Sequence, residues 1–242
     1  MADIKPRSDL DLQAVIFDCD GILVDTEPLH YRAFQEVLVP LGLGHDFEHY
    51  LEYFVGFDDR EAFMHAFEQA GMELTPATLD DLIKAKSNAL RELIERGVPS
   101  FPGVVDLVSE LMDKKIPMAI ASGALRDEVE TFVASLGLQR AFFVIVAADD
   151  VKKSKPDPET YLLAMKRLVS ICGPLDPMNC VAVEDTPAGI RSARSAALPV
   201  IAVTNSFPES ELIEADKIVT SLSDLNVRDI VDMLKQRRMV RQ

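Results

Sequence analysis

The sequence predicts an α/β protein: a parallel-sheet core with helices on both faces, interrupted after its first strand by an all-helical insertion. Three observations carry this. Short apolar runs alternate with helical patterns from residue 97 onward, as in a parallel sheet whose strands are buried on both sides. Residues 27–96 read as helix throughout, with no strand among them. Several apolar runs lead straight into acidic or hydroxyl residues, and open α/β sheets bind ligands at the carboxyl ends of their strands. The expected organisation is a core of residues 1–26 and 97–242 and a helical domain of residues 27–96.

The elements follow in order. Ala14–Phe17 has the length and branching of a buried strand. Pro28 suits the first turn of a helix whose Leu29, Ala33, Phe34, Val37, Leu38 and Leu41 recur at helical spacing, until Gly42 and Gly44 end it. Asp58 caps a second helix with Ala62, Phe63, Ala66 and Phe67 on one face. Thr75-Pro76 starts a third, striped by Leu79, Leu82, Ile83, Leu90, Leu93 and Ile94 and stopped by Gly97. The aromatic residues Phe34, Phe47, Tyr50, Tyr53, Phe54 and Phe57 are expected to pack these helices.

Beyond Phe101-Pro102-Gly103 the period changes. A helix, Val104–Lys114, leads into the strand Pro117–Ala121, which runs into Ser122-Gly123. A helix from Arg126 to Leu136, an apolar run Phe142–Ala147 and a helix from Pro158 through Val169 follow. Val181–Val183 then runs into Glu184-Asp185, with a helix Pro187–Ala197 behind it. Val200–Val203, an edge strand at Ile218-Val219 and a helix Leu225–Lys235 complete the chain.

Composition narrows the function. With 48% hydrophobic and 27% charged residues the 242-residue chain can bury a sizeable core. A net charge of -15 argues against nucleic acid or an anionic membrane surface as partner. It also repels a phosphorylated substrate unless a cation or a local Lys/Arg cluster offsets the field. Three cysteines, Cys19, Cys172 and Cys180, have no metal-ligand spacing. The N-terminal stretch carries no apolar signal core and no run approaches membrane-spanning length, so the cytoplasm is the expected location and a monomer the default state.

Four strand exits each deliver a polar group: Asp18 and Asp20, Ser122, Lys155, then Glu184 and Asp185. A parallel sheet lines such exits along one edge. Two carboxylates as close as Asp18 and Asp20 repel each other, which calls for a cation or a proton between them. The chemistry of the set is phosphoryl transfer. A carboxylate can attack phosphorus and split a hard hydrolysis into two easier steps. An all-oxygen cluster suits Mg²⁺, and a lysine and a hydroxyl can contact the remaining phosphoryl oxygens. A second carboxyl can protonate the leaving oxygen, but an ordinary Asp is only about a thousandth protonated at pH 7, so that role needs tuning.

Asp18-x-Asp20-Gly21-x-Leu23-x-Asp25-Thr26, the strand-end Ser122, Lys155-Pro156-x-Pro158 and Glu184-Asp185 resemble, in order, the four motifs of the haloacid dehalogenase (HAD) superfamily. The helical insertion resembles that superfamily's small cap, so the likeness spans residues 13–205. It implies a Rossmann-like core with a mobile lid, Asp18 as nucleophile and Asp20 as general acid/base. Mg²⁺ is then held by Asp18, the backbone carbonyl of Asp20, Asp185 and, in the sugar-phosphate branch, Glu184. Ser122, Gly123, Lys155 and Thr26 fall in the phosphate-binding set. The cap resembles that of β-phosphoglucomutase and related phosphatases, which places His30, Arg60 and Lys86 as substrate contacts; Arg60 is one position out of register.

Two departures matter. Where the mutase has a serine and a lysine that grip a second phosphate, this chain has Ala124 and Leu125, and an apolar side chain cannot replace a charge-assisted contact. Arg126 either substitutes from one position on or faces solvent at a helix start. The expected activity is therefore Mg²⁺-dependent hydrolysis of a small phosphorylated metabolite, a sugar phosphate. A hexose-phosphate mutase is the alternative, and a catalytically inactive binding or regulatory protein the lesser one. Ala197 stands where the family usually has glycine, with only a local loop change expected.

Overall fold

In a computed structural model, residues 11–54 and 57–240 are described; the N-terminal polar segment falls outside them. The chain divides into two compact units. One runs to Asp25 and resumes at Pro99, and the other is Thr26–Val98.

The first unit is built on β1 (Ala14–Phe17), whose four side chains are all buried. The second contains α1 (Glu27–Leu38), α2 (Phe47–Tyr53), α3 (Asp59–Gln69) and α4 (Pro76–Glu95). The first unit then continues with α5 (Val104–Asp113), β2 (Met118–Ala121), α6 (Arg126–Ser135), β3 (Val144–Val146) and α7 (Glu159–Cys172). It ends with β4 (Cys180–Glu184), α8 (Pro187–Ser195), β5 (Val200–Val203), β6 (Lys217–Val219) and α9 (Val227–Val240).

The six strands form one sheet in the order β3-β2-β1-β4-β5-β6, parallel throughout. This is the Rossmann-like α/β fold. Chain direction across the sheet reverses between β1 and β4, the crevice where such sheets bind ligands. Side chains alternate between faces. Ala14, Ile16, Ala119, Ala121, Ala182 and Ala202 pack with α7 and α8 through Tyr161, Leu168, Ile190 and Ala193. Val15, Phe17, Met118, Ile120, Val181 and Val183 bury the opposite face, on the side to which right-handed crossovers carry α5 and α6. The small residues on the first face let α7 and α8 approach closely.

The helical unit encloses a separate core. Phe34, Leu38, Tyr50, Phe54, Ala62, Phe63, Ala66 and Leu79 interlock, and the Phe34 and Phe63 rings meet edge-on at 5.3 Å. Its helix starts are capped as the sequence suggests. Asp58 and Glu61 form a capping box and Thr75 accepts from Thr78, with Pro76 in the first turn.

Local departures have physical causes. The first helix stops at Leu38 and continues as a 3-10 turn, Val39–Leu41, because Pro40 has no amide to donate. Leu41 is consequently exposed. The helix α2 was not expected; Asp46 caps it by accepting from the His49 amide, and its Tyr50 is buried. Ala197 adopts a left-handed φ of 65°, which explains glycine's suitability there. No helix among the described residues is long and apolar enough to cross a membrane.

Candidate active site

Register assembles the site. Phe17 pairs with Ile120 on one side and Val183 on the other, so Asp18 lies level with Ala121 and Glu184, one residue below Ser122 and Asp185. The Asp18 amide extends the ladder to Val183 O at 2.9 Å. The chain then turns back on itself: the Leu23 amide reaches Cys19 O at 2.7 Å and Gly21 takes a φ of 82°. This turn leaves Asp18 buried and Asp20 exposed.

Lys155 is the centre of the buried charges. Its Nζ lies 2.7 Å from Asp18 Oδ1 and 2.6 Å from Glu184 Oε1. Glu184 is fully buried and gains further donors: the Tyr161 hydroxyl at 2.8 Å to Oε1, and the Thr186 hydroxyl at 3.2 Å with the Asp185 amide at 3.3 Å to Oε2. Asp185 Oδ2 accepts from Ser206 Oγ. Its Oδ1 is buried without a hydrogen-bond partner.

Glycines make the room. A Cβ at Gly189, in the first turn of α8, would lie 2.0 Å from the Glu184 carboxylate atoms, and one at Gly21 would lie 2.0 Å from Asp185 Oδ2.

Electrostatics leave the cluster short of positive charge. Burial, reinforced by Glu184 and opposed by Lys155, pushes the Asp18 carboxyl up to about 7. Burial and Asp18 push Asp185 up to about 8. Burial opposes the Lys155 charge, but Asp18 and Glu184 override it and hold the ammonium above its ordinary range. One ammonium therefore faces three carboxylates. Oxygens of Asp18, Glu184 and Asp185 lie within 4.8 Å of one another, and with the orphaned Asp185 Oδ1 this is a donor set that a hard divalent cation fits. The Asp20 side chain is not one of the three; the expectation for it concerns its carbonyl.

The remaining residues divide by unit. Ser122, nearly fully buried, receives the Ala124 amide on its Oγ at 3.0 Å, while Gly123 is exposed. Arg126 is not a free cation, though its side chain stays partly exposed at the start of α6. Asp150 Oδ2 at 2.5 Å, Ile145 O at 3.0 Å and Glu130 Oε1 at 3.3 Å hold its guanidinium. Burial pushes the Cys19 thiol well above its usual range, which disfavours the thiolate.

In the helical unit, Thr26 is buried at the start of α1. Lys86 is buried, with Nζ 2.6 Å from Asp59 Oδ1, 3.0 Å from His30 Nδ1 and 4.6 Å above the Phe34 ring. Burial and the Lys86 charge lower His30 to about 4, so its imidazole is neutral and Nδ1 accepts. Arg60 does not join this group. It is more than half exposed and pairs with Asp80 at 3.2 Å.

Sequence reasoning missed Tyr161, Thr186, Ser206 and Asp59. The helical period of α7 sets Tyr161 with Ala164, Met165 and Leu168 toward the sheet, and Thr186 precedes a helix-starting proline, so both carried a signal. Asp59 and Ser206 depend on tertiary approach.

A parallel sheet whose strand ends gather a lysine and three buried carboxylates offers a site suited to a cation and a phosphate. Residues 15–203 match the haloacid dehalogenase-like hydrolase family, and the chain belongs to it. Fructose-1-phosphate phosphatase YqaB of Escherichia coli is 36% identical over 78% of this chain and 95% of its own. A mutant CbbY of Rhodobacter sphaeroides, solved with xylulose-(1,5)bisphosphate, is 30% identical over 88% of this chain and 96% of its own, with a TM-score of 0.67. A putative β-phosphoglucomutase of Thermotoga maritima reaches a TM-score of 0.74 at 28% identity, over 93% of this chain and 99% of its own.

Proposed function

We propose that this HAD-type phosphatase hydrolyses a small sugar phosphate in the cytoplasm, as a Mg²⁺-dependent monomer, through an aspartyl phosphate on Asp18. The buried Asp18–Lys155–Glu184–Asp185 cluster, with its unmatched negative charge, carries the reading. Asp18, Glu184, Asp185 and the Asp20 carbonyl would hold the cation, which when bound would supply positive charge to the site and to the phosphoryl oxygens.

Asp18 attacks phosphorus, forming its O–P bond as the bond to the sugar oxygen breaks. Asp20 gives its proton to that oxygen. Its carboxylate then takes a proton from water, whose oxygen displaces Asp18 and releases inorganic phosphate. Lys155 keeps Asp18 oriented and faces the charge that develops on the phosphoryl group. Ser122 and Gly123 contribute phosphate contacts. We assign the helical unit the role of the cap that selects the alcohol; within it Lys86 is held by Asp59 and His30 and Arg60 by Asp80, so none of these side chains is a ready substrate contact as it stands.

The engaged Arg126 favours hydrolysis over the mutase alternative, because it leaves Ala124 and Leu125 without a substitute cation. The test is phosphate release from a panel of sugar monophosphates with and without Mg²⁺, alongside Asp18→Asn. The expected result is Mg²⁺-dependent release abolished in the variant. Isomerisation of a hexose phosphate stimulated by a bisphosphorylated sugar would instead support the mutase.

A further inference from the structure

We propose that the loop leaving β5, residues 204–206, is an additional arm of the cation site, with Ser206 the residue that positions Asp185. The inference rests on the reading of Asp18, Glu184 and Asp185 as cation ligands.

Three contacts point to it. Ser206 Oγ donates to Asp185 Oδ2, while Asp185 Oδ1 is buried with no partner. A carboxylate held by one oxygen presents the other in a set direction, so the bond leaves Oδ1 as the oxygen available to a cation. From the same loop, Asn205 Nδ2 donates to Gly21 O at 2.7 Å, tying the loop to the turn that carries Asp18 and Asp20. A Cβ on Gly21 would stand 2.0 Å from Asp185 Oδ2 and 3.1 Å from Ser206 Oγ. Glycine, carboxylate and hydroxyl therefore pack directly against one another.

Core packing does not account for the arrangement, because Ser206 as a residue is exposed. Its hydroxyl alone is drawn into the buried cluster. Partners of this kind set the orientation of a metal ligand, and their loss costs about 10- to 100-fold in metal affinity.

The test titrates substrate-free protein with Mn²⁺ and follows the free ion by electron paramagnetic resonance. Ser206→Ala is expected to weaken Mn²⁺ binding about tenfold, and Ser206→Thr, which keeps the hydroxyl, to restore it to within about twofold of wild type. Asp185→Asn is the control for the site itself. If Asp185→Asn loses Mn²⁺ and Ser206→Ala binds like wild type, the positioning role is overturned while the cation site stands. If Asp185→Asn binds like wild type, the cation assignment fails and this inference with it. Should Ser206→Ala not fold, Asn205→Ala, which cuts the tether to Gly21, is expected to weaken binding in the same direction. Unchanged affinity there overturns the role of the loop.

Discussion

Replacing Gly189 by alanine sets two effects of opposite sign against each other. Alanine is the better helix former, worth on the order of 1 kcal/mol inside a helix, and Gly189 lies in the first turn of α8. On that ground alone the variant gains stability. The added Cβ, however, would sit 2.0 Å from the Glu184 carboxylate, which must then move. Moving it strains or breaks the 2.6 Å ion pair with Lys155 and the 2.8 Å bond from Tyr161. A buried hydrogen bond to a charged group contributes about 1.5–3 kcal/mol, so losing two outweighs the propensity gain. The expected net loss is about 2–5 kcal/mol, a fall of about 4–20 °C in Tm for a chain of this size. Thermal unfolding in the presence of a chelator reads this directly, and phosphate release should fall in parallel. A variant that melts at or above the wild-type temperature would show that Glu184 is not pinned as described.

Three further outcomes are expected. Asp150 is held down to about 2, chiefly by Arg167 and despite partial burial. Its folded value thus lies below the unfolded one, so its contribution is complete above about pH 4 and disappears as pH falls toward 2. Screening at its partly exposed arginines limits that to on the order of 1–2 kcal/mol; denaturant midpoints at pH 7 and pH 3 should separate less in Asp150→Asn than in wild type. Ala197→Gly relieves a left-handed φ of 65° at an exposed position. After the greater freedom of the unfolded glycine chain is subtracted, it should stabilise by about 0.5 kcal/mol, and a lower denaturant midpoint would contradict this. Asp59→Ala leaves the Lys86 ammonium buried beside a neutral imidazole. It should cost about 2–3 kcal/mol, more than Asp59→Ala combined with Lys86→Met, as chemical denaturation of both variants would show.

Much of the sheet was legible because strands buried on both faces are written as short apolar runs, and the polar residue ending each run marks a strand exit. Val181–Val183 reads as strand, yet β4 extends one residue further at each end, so Glu184 is itself the last ladder position. Pattern alone could not show that, because a charged residue inside a buried strand is sustained only by its partners, Lys155 and Tyr161. The break at Leu38 follows from Pro40, which the apolar spacing through Leu41 outweighed. The short α2 has too few residues for a period and rests on the Asp46 cap. Arg126 shows the limit most clearly. Its sequence position fits a phosphate contact or a solvated helix start, and only the approach of Asp150 and Ile145 O from the β3 side shows that its guanidinium is already engaged.

The charge of the whole chain and of the site lead to one requirement. With a net charge of -15, the protein repels a phosphate dianion at long range, although salt screens that field within about 8 Å at physiological ionic strength. At short range the buried cluster does not reverse the sign, because the single ammonium of Lys155 is already shared between Asp18 and Glu184 and Asp185 adds a third carboxylate. Protonating Asp18 and Asp185 would relieve the repulsion, and their raised values, about 7 and about 8, show how strongly burial drives that way. In the proposed mechanism a protonated Asp18 would be a poor nucleophile, so relief by protons would oppose attack on phosphorus. Relief by a divalent cation preserves the carboxylate and adds the positive charge a phosphate ester needs. On the proposed reading, the surplus of acid at these strand ends would couple cation binding to phosphate recognition.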